Sequence, residues 1–366
     1  MTMRAAKETT GIGRLEQERM AGAGGAVKST SRPVGVTEPP SSAMAPACSR
    51  RMRTVAGVLA AAATAAAAMA GVGMFALPAS AGGANGYAGT GAVFRIGAGA
   101  RPLAMGGAFV GLSDDENALF YNPAGLARLG QLGLTSLYST QYDVVTYGAV
   151  GIAGRGFGAG ALYLDSGGIP GVGTDDAMLD AFSYRNLAGL VGAGFEVGPL
   201  SVGVRGKYLT VSSATLETAG GSERIRPVKG GGYDADAAVL LDLGAVRLGA
   251  VYESLLGQGV RYDTGSEEAF ERRLVVGVSL RAGPVVLAAD LEDVTGNQRF
   301  YHAGAEARLG VLALRGGASG QLGQHPGSPD LSAGAGVALA AFQLDYAYLL
   351  PAALPATHRL SLTLRF

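Results

Sequence analysis

Hydrophobic and polar residues alternate one by one through most of the second half of this chain. In THRLSLTLRF, Leu360, Leu362, Leu364 and Phe366 share one face of an extended chain, and Arg359, Ser361, Thr363 and Arg365 share the other. AFQLDYAYL sets Phe342, Leu344, Tyr346 and Tyr348 against Gln343 and Asp345. LSVGVRGKYL isolates Arg205 and Lys207 on one face, and YDADAAVLLDL does the same for Asp234, Asp236 and Asp242. A period of two predicts strands, and about fourteen such segments fit between residues 132 and 366. The connections alternate in length. Tight turns are predicted at Gly154-Arg155, Gly198-Pro199, Gly244, Gly283-Pro284, Gly310 and Ala340, and long loops at 166–185, 213–232, 254–271, 294–299, 320–330 and 350–356. An even number of strands with short turns at one end and long loops at the other predicts an all-β fold, an antiparallel transmembrane barrel of about fourteen strands over 131–366. Lipid-facing charges at mid-depth would cost ~2–4 kcal/mol each. Arg205, Lys207, Asp234, Asp236, Asp242, Asp345, Arg359 and Arg365 are therefore expected to face the lumen. Tyr138, Tyr163, Tyr208, Tyr233, Tyr252, Tyr301 and Tyr348 fall near the loop-side strand ends, as an interfacial girdle would place them.

Two regions depart from this pattern. DVVTYGAVGIAG, GFGAGALYLD and LAGLVGAGF carry no charge in their interiors, so strands two to four should give the lumen an apolar sector. Ahead of the first strand, SDDENALFYNPAGLARLG reads as helix instead. Ser113 and Glu116 have capping-box spacing, and acidic residues crowd a first turn where the helix dipole favours them. Asn122 precedes Pro123, so a first helix should stop near Tyr121 and a second should open at Pro123 with Asn122 as its cap. Residues 82–130 are apolar enough to need burial, and a helical segment inside a barrel is one solution. Such a plug, with Asn122, Pro123, Ala124 and Gly125 at its kink, is expected to rest residues 97–112 on the apolar sector formed by 143–165 and 186–197. The charged strands would then line the remaining passage.

Composition adds a leader and removes several function classes. Arg50, Arg51 and Arg53 precede an uncharged run from Thr54 to Leu77, and Ala79-Ser80-Ala81 has the form of a signal-peptidase site. Residues 1–81 are read as a polar preface plus a cleavable signal peptide, the rival being a retained membrane helix. Lys+Arg and Asp+Glu number 29 each, which argues against nucleic-acid binding. The lone Cys48 lies in the leader, leaving no thiol chemistry beyond it. His302, His325 and His358 lack metal-ligand spacing, and no Gly-x-Ser-x-Gly elbow is present. Neither an enzyme nor a cofactor is predicted.

The stretch GARPLAMGGAFVGLSDDENALFYNPAGLA, with Asn122-Pro123-Ala124 as its hallmark, resembles the N-terminal signature of PorV/PorQ-type outer-membrane proteins, relatives of the FadL-type long-chain fatty-acid transporters. LSVGVRGKYLT and DYAYLLPAALPATHRLSLTLRF are similar to the same family, so the resemblance spans residues 97–366. It implies a fourteen-stranded barrel with an N-terminal plug in the outer membrane of a diderm bacterium. Phe366 would then belong to a terminal strand read by the outer-membrane assembly machinery. Two functions follow from the resemblance: passive uptake of hydrophobic small molecules, or partnership with secretion-system proteins in export or surface attachment. A structural barrel with a closed lumen is a third.

Overall fold

The computed structural model describes residues 91–141, 144–219, 222–294, 298–323 and 327–366. The leader, its cleavage after Ala81, Cys48 and His325 lie outside them.

The described residues form sixteen strands. The first seven are β1 (Gly133–Gln141), β2 (Val145–Gly154), β3 (Phe157–Val172), β4 (Met178–Val197), β5 (Leu200–Ala219), β6 (Ser222–Asp242) and β7 (Val246–Glu253). Two short ones, β8 (Gly259–Tyr262) and β9 (Glu267–Ala269), form a hairpin inside a loop. The remainder are β10 (Arg273–Ala282), β11 (Val285–Val294), β12 (Gln298–Leu309), β13 (Leu312–Leu322), β14 (Asp330–Leu339), β15 (Phe342–Leu350) and β16 (Thr357–Arg365). Apart from β8 and β9, each strand pairs antiparallel with the next, and β16 returns to β1, which closes a barrel of fourteen strands. Within the barrel wall closure pairs both edges of each strand, the condition for surrounding a sheet with apolar medium.

The six tight turns fall at one end, where predicted. Gly198, Gly244, Gly283 and Gly310 adopt positive φ there, and Ala340 is held at φ 50, a conformation that its Cβ disfavours. Two predicted loops are instead strand. β3 pairs with β4 as far as Val172↔Met178, and β5 with β6 as far as Ala219↔Ser222, so 166–185 and 213–232 are largely hairpin extensions beyond the barrel. Backbone pairing needs no apolar face, so these Gly- and charge-rich arms hold ladders that the hydrophobic pattern does not reveal. The 254–271 loop carries the β8–β9 hairpin, which docks on β6 at Gly230–Gly232.

Burial follows the alternation inside out. Leu360 and Leu362 are exposed on the outer face of β16 while Arg359, Ser361 and Thr363 are buried on its inner face. Leu187, Val191 and Phe195 repeat the pattern on β4, as do Phe342, Leu344 and Tyr346 on β15. Tyr208 and Tyr233 lie directly opposite each other, both exposed, and Tyr138 and Tyr163 are exposed near the same end. Phe366 is 70% exposed, and its N–H donates to the Leu132 carbonyl at 2.8 Å, which extends the β16–β1 seam by one bond.

Candidate functional site

The barrel interior holds residues 91–129. The segment begins at the loop end, where Phe94 meets Phe270 edge to face and Arg95 pairs with Glu271 at 3.1 Å. It ends among the tight turns, where Arg155 N donates to the Leu129 carbonyl and Arg128 bonds the carbonyls of Gly198 and Pro199. Between these points run a short helix Ala100–Ala104, a second Ala118–Tyr121 and a 3-10 helix Pro123–Arg128.

Asn122 occupies the kink as its sequence context predicts. Its Oδ1 accepts from Ala124 N at 3.0 Å, capping the 3-10 helix Pro123–Arg128. Its Nδ2 donates to Val110 O at 2.9 Å and to Val239 O on β6 at 3.1 Å, so one fully buried amide ties the kink to its own segment and to the wall. Pro123, Ala124 and Gly125 are buried beside it. Arg205 supports helix Ala118–Tyr121 from the β5 wall, donating to the carbonyls of Leu119 at 3.0 Å and Phe120 at 2.7 Å, where a cation complements the helix C-terminus.

The predicted capping box does not form. Ser113 sits at φ 30 and its hydroxyl donates back to the Phe109 carbonyl, while the helix starts only at Ala118. Asp115 organises that start, its Oδ1 accepting from both N and Nδ2 of Asn117 at 2.8 and 2.9 Å. Glu116 instead reaches Arg365, at 2.7 and 3.0 Å to Nε and Nη2. A buried carboxylate gains more from a guanidinium fork than from one amide, so the longer-range partner wins.

The interior has two unlike walls. On β2 to β4 the lowest inward rung consists of Ala153, Gly158 and Gly192, against which Leu119 and Leu126 pack. The next rung up carries Gly151 and Gly160 under Phe120. Larger residues follow: Leu137, Ala149, Leu162, Ala188 and Leu209 form one rung, and Ser139, Tyr147, Leu164, Asn186 and Val211 the next. Phe94, Ile96, Leu103 and Phe120 of the luminal segment face this upper apolar wall and remain partly exposed.

The opposite wall is ionic. Arg101 bonds Asp114 and Asp115 at 2.6 Å each and lays its fork on Glu306, at 2.8 and 3.0 Å. Glu306, fully buried, also accepts from Arg308 at 2.8 Å and Arg315 at 2.7 Å, and Arg315 continues to Asp345 at 2.7 Å. Burial opposes both charges of the Arg101–Asp114 pair. The surrounding carboxylates nonetheless hold Arg101 above its usual range, and the guanidinium of Arg101, with Arg308 and Arg281, holds Asp114 below the usual carboxylate range. Higher up, Asp290 accepts from the backbone N–H groups of Phe109 and Val110 at 2.7 and 2.8 Å. Lys207 bonds Asp236 at 2.9 Å and Ser254 at 3.1 Å, its ammonium within 5.4 and 5.6 Å of the Phe94 and Phe270 ring centres. Asp234 accepts from the N–H groups of Leu256 and Gln258, Asp242 pairs with Arg247, and Arg359 lies over the Tyr147 ring.

All eight predicted luminal charges thus point inward. They do not line an open passage: most are buried in pairs that hold the luminal segment and the loops. The expected seat of residues 97–112 also fails. Helix Ala100–Ala104 packs on β13 to β16, with Ala104 against Gly334; Gly106 lies on Gly317, and Gly111 on Gly277. The apolar sector is touched at the start of these residues, where Tyr147 Oη donates to Gly97 O at 3.0 Å, and by the Leu103 side chain. An apolar composition misled here because Ala and Gly present backbone, whose N–H groups seek acceptors such as Asp290. The apolar sector receives Leu119, Phe120 and Leu126 in its place. Glu306, Arg101 and Asp290 were not singled out from sequence, although a lone Arg101 in an otherwise apolar stretch is itself a demand for a buried acid.

A polar cavity of about 410 Å³ opens at the tight-turn end, lined by Arg101, Asp114, Glu116, Arg128, Arg308 and Arg365 among others. Among the described residues no group of three or more His, Cys, Asp or Glu is placed to hold a metal ion, and no helix is long and apolar enough to cross a membrane.

No protein-family model matches the chain, and no curated protein matches it. Solved structures do. The CymD monoaromatic hydrocarbon channel superposes with a TM-score of 0.53 at 16% identity, covering 74% of this chain and 98% of that one. The toluene transporter TodX of P. putida gives 0.47 at 13% identity, covering 74% and 97%. A Pseudomonas aeruginosa FadL homologue gives 0.45 at 11%, covering 72% and 97%. At these identities the likeness is one of fold: the chain is a closed antiparallel barrel of the kind seen in the CymD channel.

Proposed function

We propose that the protein is an outer-membrane channel that admits small hydrophobic molecules to the apolar side of a lumen plugged by residues 91–129. The observation that carries this reading is the position of its apolar surface. Leu, Val, Phe and Tyr cover the outside of the barrel, as in Leu187, Val191, Phe195, Leu344, Leu360 and Leu362. A water-soluble monomer rarely exposes apolar patches beyond a few hundred Å². Inside, a second apolar surface lies on β1 to β5, above the helical pair and beside a segment whose Phe94 and Ile96 remain partly exposed. Charged walls would serve an ion-conducting pore, whereas here the charges are neutralised in pairs and the unpaired wall is greasy. CymD and TodX are described as a monoaromatic hydrocarbon channel and a toluene transporter, which agrees with this reading.

The test is uptake of radiolabelled toluene by diderm cells expressing the protein against cells carrying an empty vector, with glycerol as a polar comparison. Faster toluene entry with glycerol unchanged is expected. Glycerol entry that rises while toluene entry does not would replace the proposal with a polar pore.

A further inference from the structure

On the upper apolar wall one side chain is out of keeping with its surroundings. Asn186 of β4 points inward, 1% exposed, between Leu164 of β3 and Val211 of β5, its register partners on either side. Ala188 and Leu190 follow it on the same face. Its Oδ1 is buried and finds no hydrogen-bond partner. The other polar residues of this rung are engaged: Tyr147 Oη donates to Gly97 O, and Ser139 Oγ donates to His358 O at 3.0 Å.

A buried amide oxygen without a donor is destabilising, and a Leu at this position would carry no such penalty. We infer that Asn186 is the polar anchor of the luminal site, and that the molecules it favours are hydrophobic bodies carrying one hydroxyl, phenols and alcohols, over plain hydrocarbons of the same shape. The inference rests on the hydrophobic-channel reading above and narrows it. A hydroxyl hydrogen is the donor that Oδ1 lacks. A hydroxyl oxygen is also an acceptor, so the group satisfies the amide whichever way its O and N are turned. An ionised carboxylate accepts only and would leave Oδ1 as it is. The apolar neighbours Leu164, Val211, Ala188 and Leu190 are buried around the amide, and the partly exposed Phe94 and Ile96 of the segment, packed against the same cluster, are what a ligand has to displace to reach it.

The experiment measures binding of 1-naphthol and of naphthalene to the full-length protein in lipid nanodiscs by equilibrium dialysis, with empty nanodiscs subtracted. One net hydrogen bond predicts about three- to tenfold tighter binding of naphthol once its partition into lipid is removed. Asn186→Leu should abolish that preference, while Asn186→Thr, which keeps a hydroxyl, should retain part of it. Heat-modifiable migration on gels checks that each variant is folded. Equal binding of the two ligands by the unmodified protein overturns the inference and leaves the channel reading intact. A preference that survives in Asn186→Leu overturns it too, because the anchor then lies elsewhere. Binding of neither ligand overturns the channel reading and the inference with it.

Discussion

Beneath Leu119 and Leu126 the barrel wall offers Gly158 and Gly192, with added Cβ atoms at either position falling 3.1–3.3 Å from those side chains; beneath Arg101 it offers Glu306, a carboxylate wholly removed from water. One wall holds the luminal segment by removing its own side chains so that two leucines fit. The other holds it by charge. The difference teaches how each contact depends on geometry. A glycine seat tolerates sliding by a fraction of an ångström, since dispersion and burial have no direction. A guanidinium on three carboxylates does not, because a lost partner leaves a buried charge. The ionic wall therefore fixes the register of the segment, and the apolar wall supplies area without specifying position.

Breaking the ionic wall should have the largest effect. Glu306→Ala would leave Arg101 and Arg315 without their shared acid and should cost about 3–5 kcal/mol. Because the barrel ladders remain, the loss should appear as a leak in planar-bilayer conductance before any drop in heat-modifiable protein. If conductance stayed at the wild-type level, the ionic wall would not be what seats the segment. On the apolar wall, Gly158→Leu intrudes on Leu119 and Leu126 and should cost about 1–3 kcal/mol by overpacking. Here the segment should shift and remain inside, so a disulfide between Ala104→Cys and Gly334→Cys should still form, whereas Ala104→Cys with Gly160→Cys, on the inward face of β3, should not. Cross-linking of the second pair alone would return the segment to the wall first expected from the sequence.

Asn122 belongs to both systems, since it caps a helix seated on glycines and bonds the β6 carbonyl of Val239. Asn122→Ala should cost about 0.5–2 kcal/mol for the cap, with the orphaned Val110 and Val239 carbonyls placing it toward the upper value. Hydrogen exchange at residues 118–128 should rise while strand amides keep their protection. The smallest effect is a control away from both walls. Ala340→Gly relieves a positive φ in a tight turn and should stabilise the barrel by up to about 1 kcal/mol, visible as a higher melting temperature with unchanged conductance.

The barrel was legible because lipid and lumen impose opposite demands on adjacent residues, and that constraint writes a period of two into β16, β15 and β5. Beyond the barrel the constraint lapses, so the arms of β3–β4 and β5–β6 read as loops although they are paired to their tips. The inward direction of Arg205, Lys207, Asp234, Asp236 and Asp345 was legible for the same reason. What each of them bonds was not, because pairing depends on which rungs the luminal segment crosses. Asn122 was readable, since cap and kink are local chemistry. Ser113 and Glu116 carried the same kind of local signal, yet Arg365, far along the chain, outcompeted it. Asn186 gave no signal in LAGLVGAGF and its flank, as one amide beside alternating apolar residues looks like any strand end.

The luminal segment enters at the loop end, leaves at the tight-turn end and continues directly into β1, whose other edge is the seam with β16. A chain running through a closed hoop in this way could be installed afterwards only by dragging Arg101, Asp114 and Asp115 through the ring of other charges. Buried charge on the segment favours one order of assembly: the segment laid across the half-built sheet, and β16 fastened to β1 over it. The final clasp, Arg365 on Glu116 with Phe366 N–H on Leu132 O, joins the last residues of the chain to the segment they enclose. Among the bonds at the end of the C-terminal strand, those of Arg365 to Glu116 form only around an interior that is already filled.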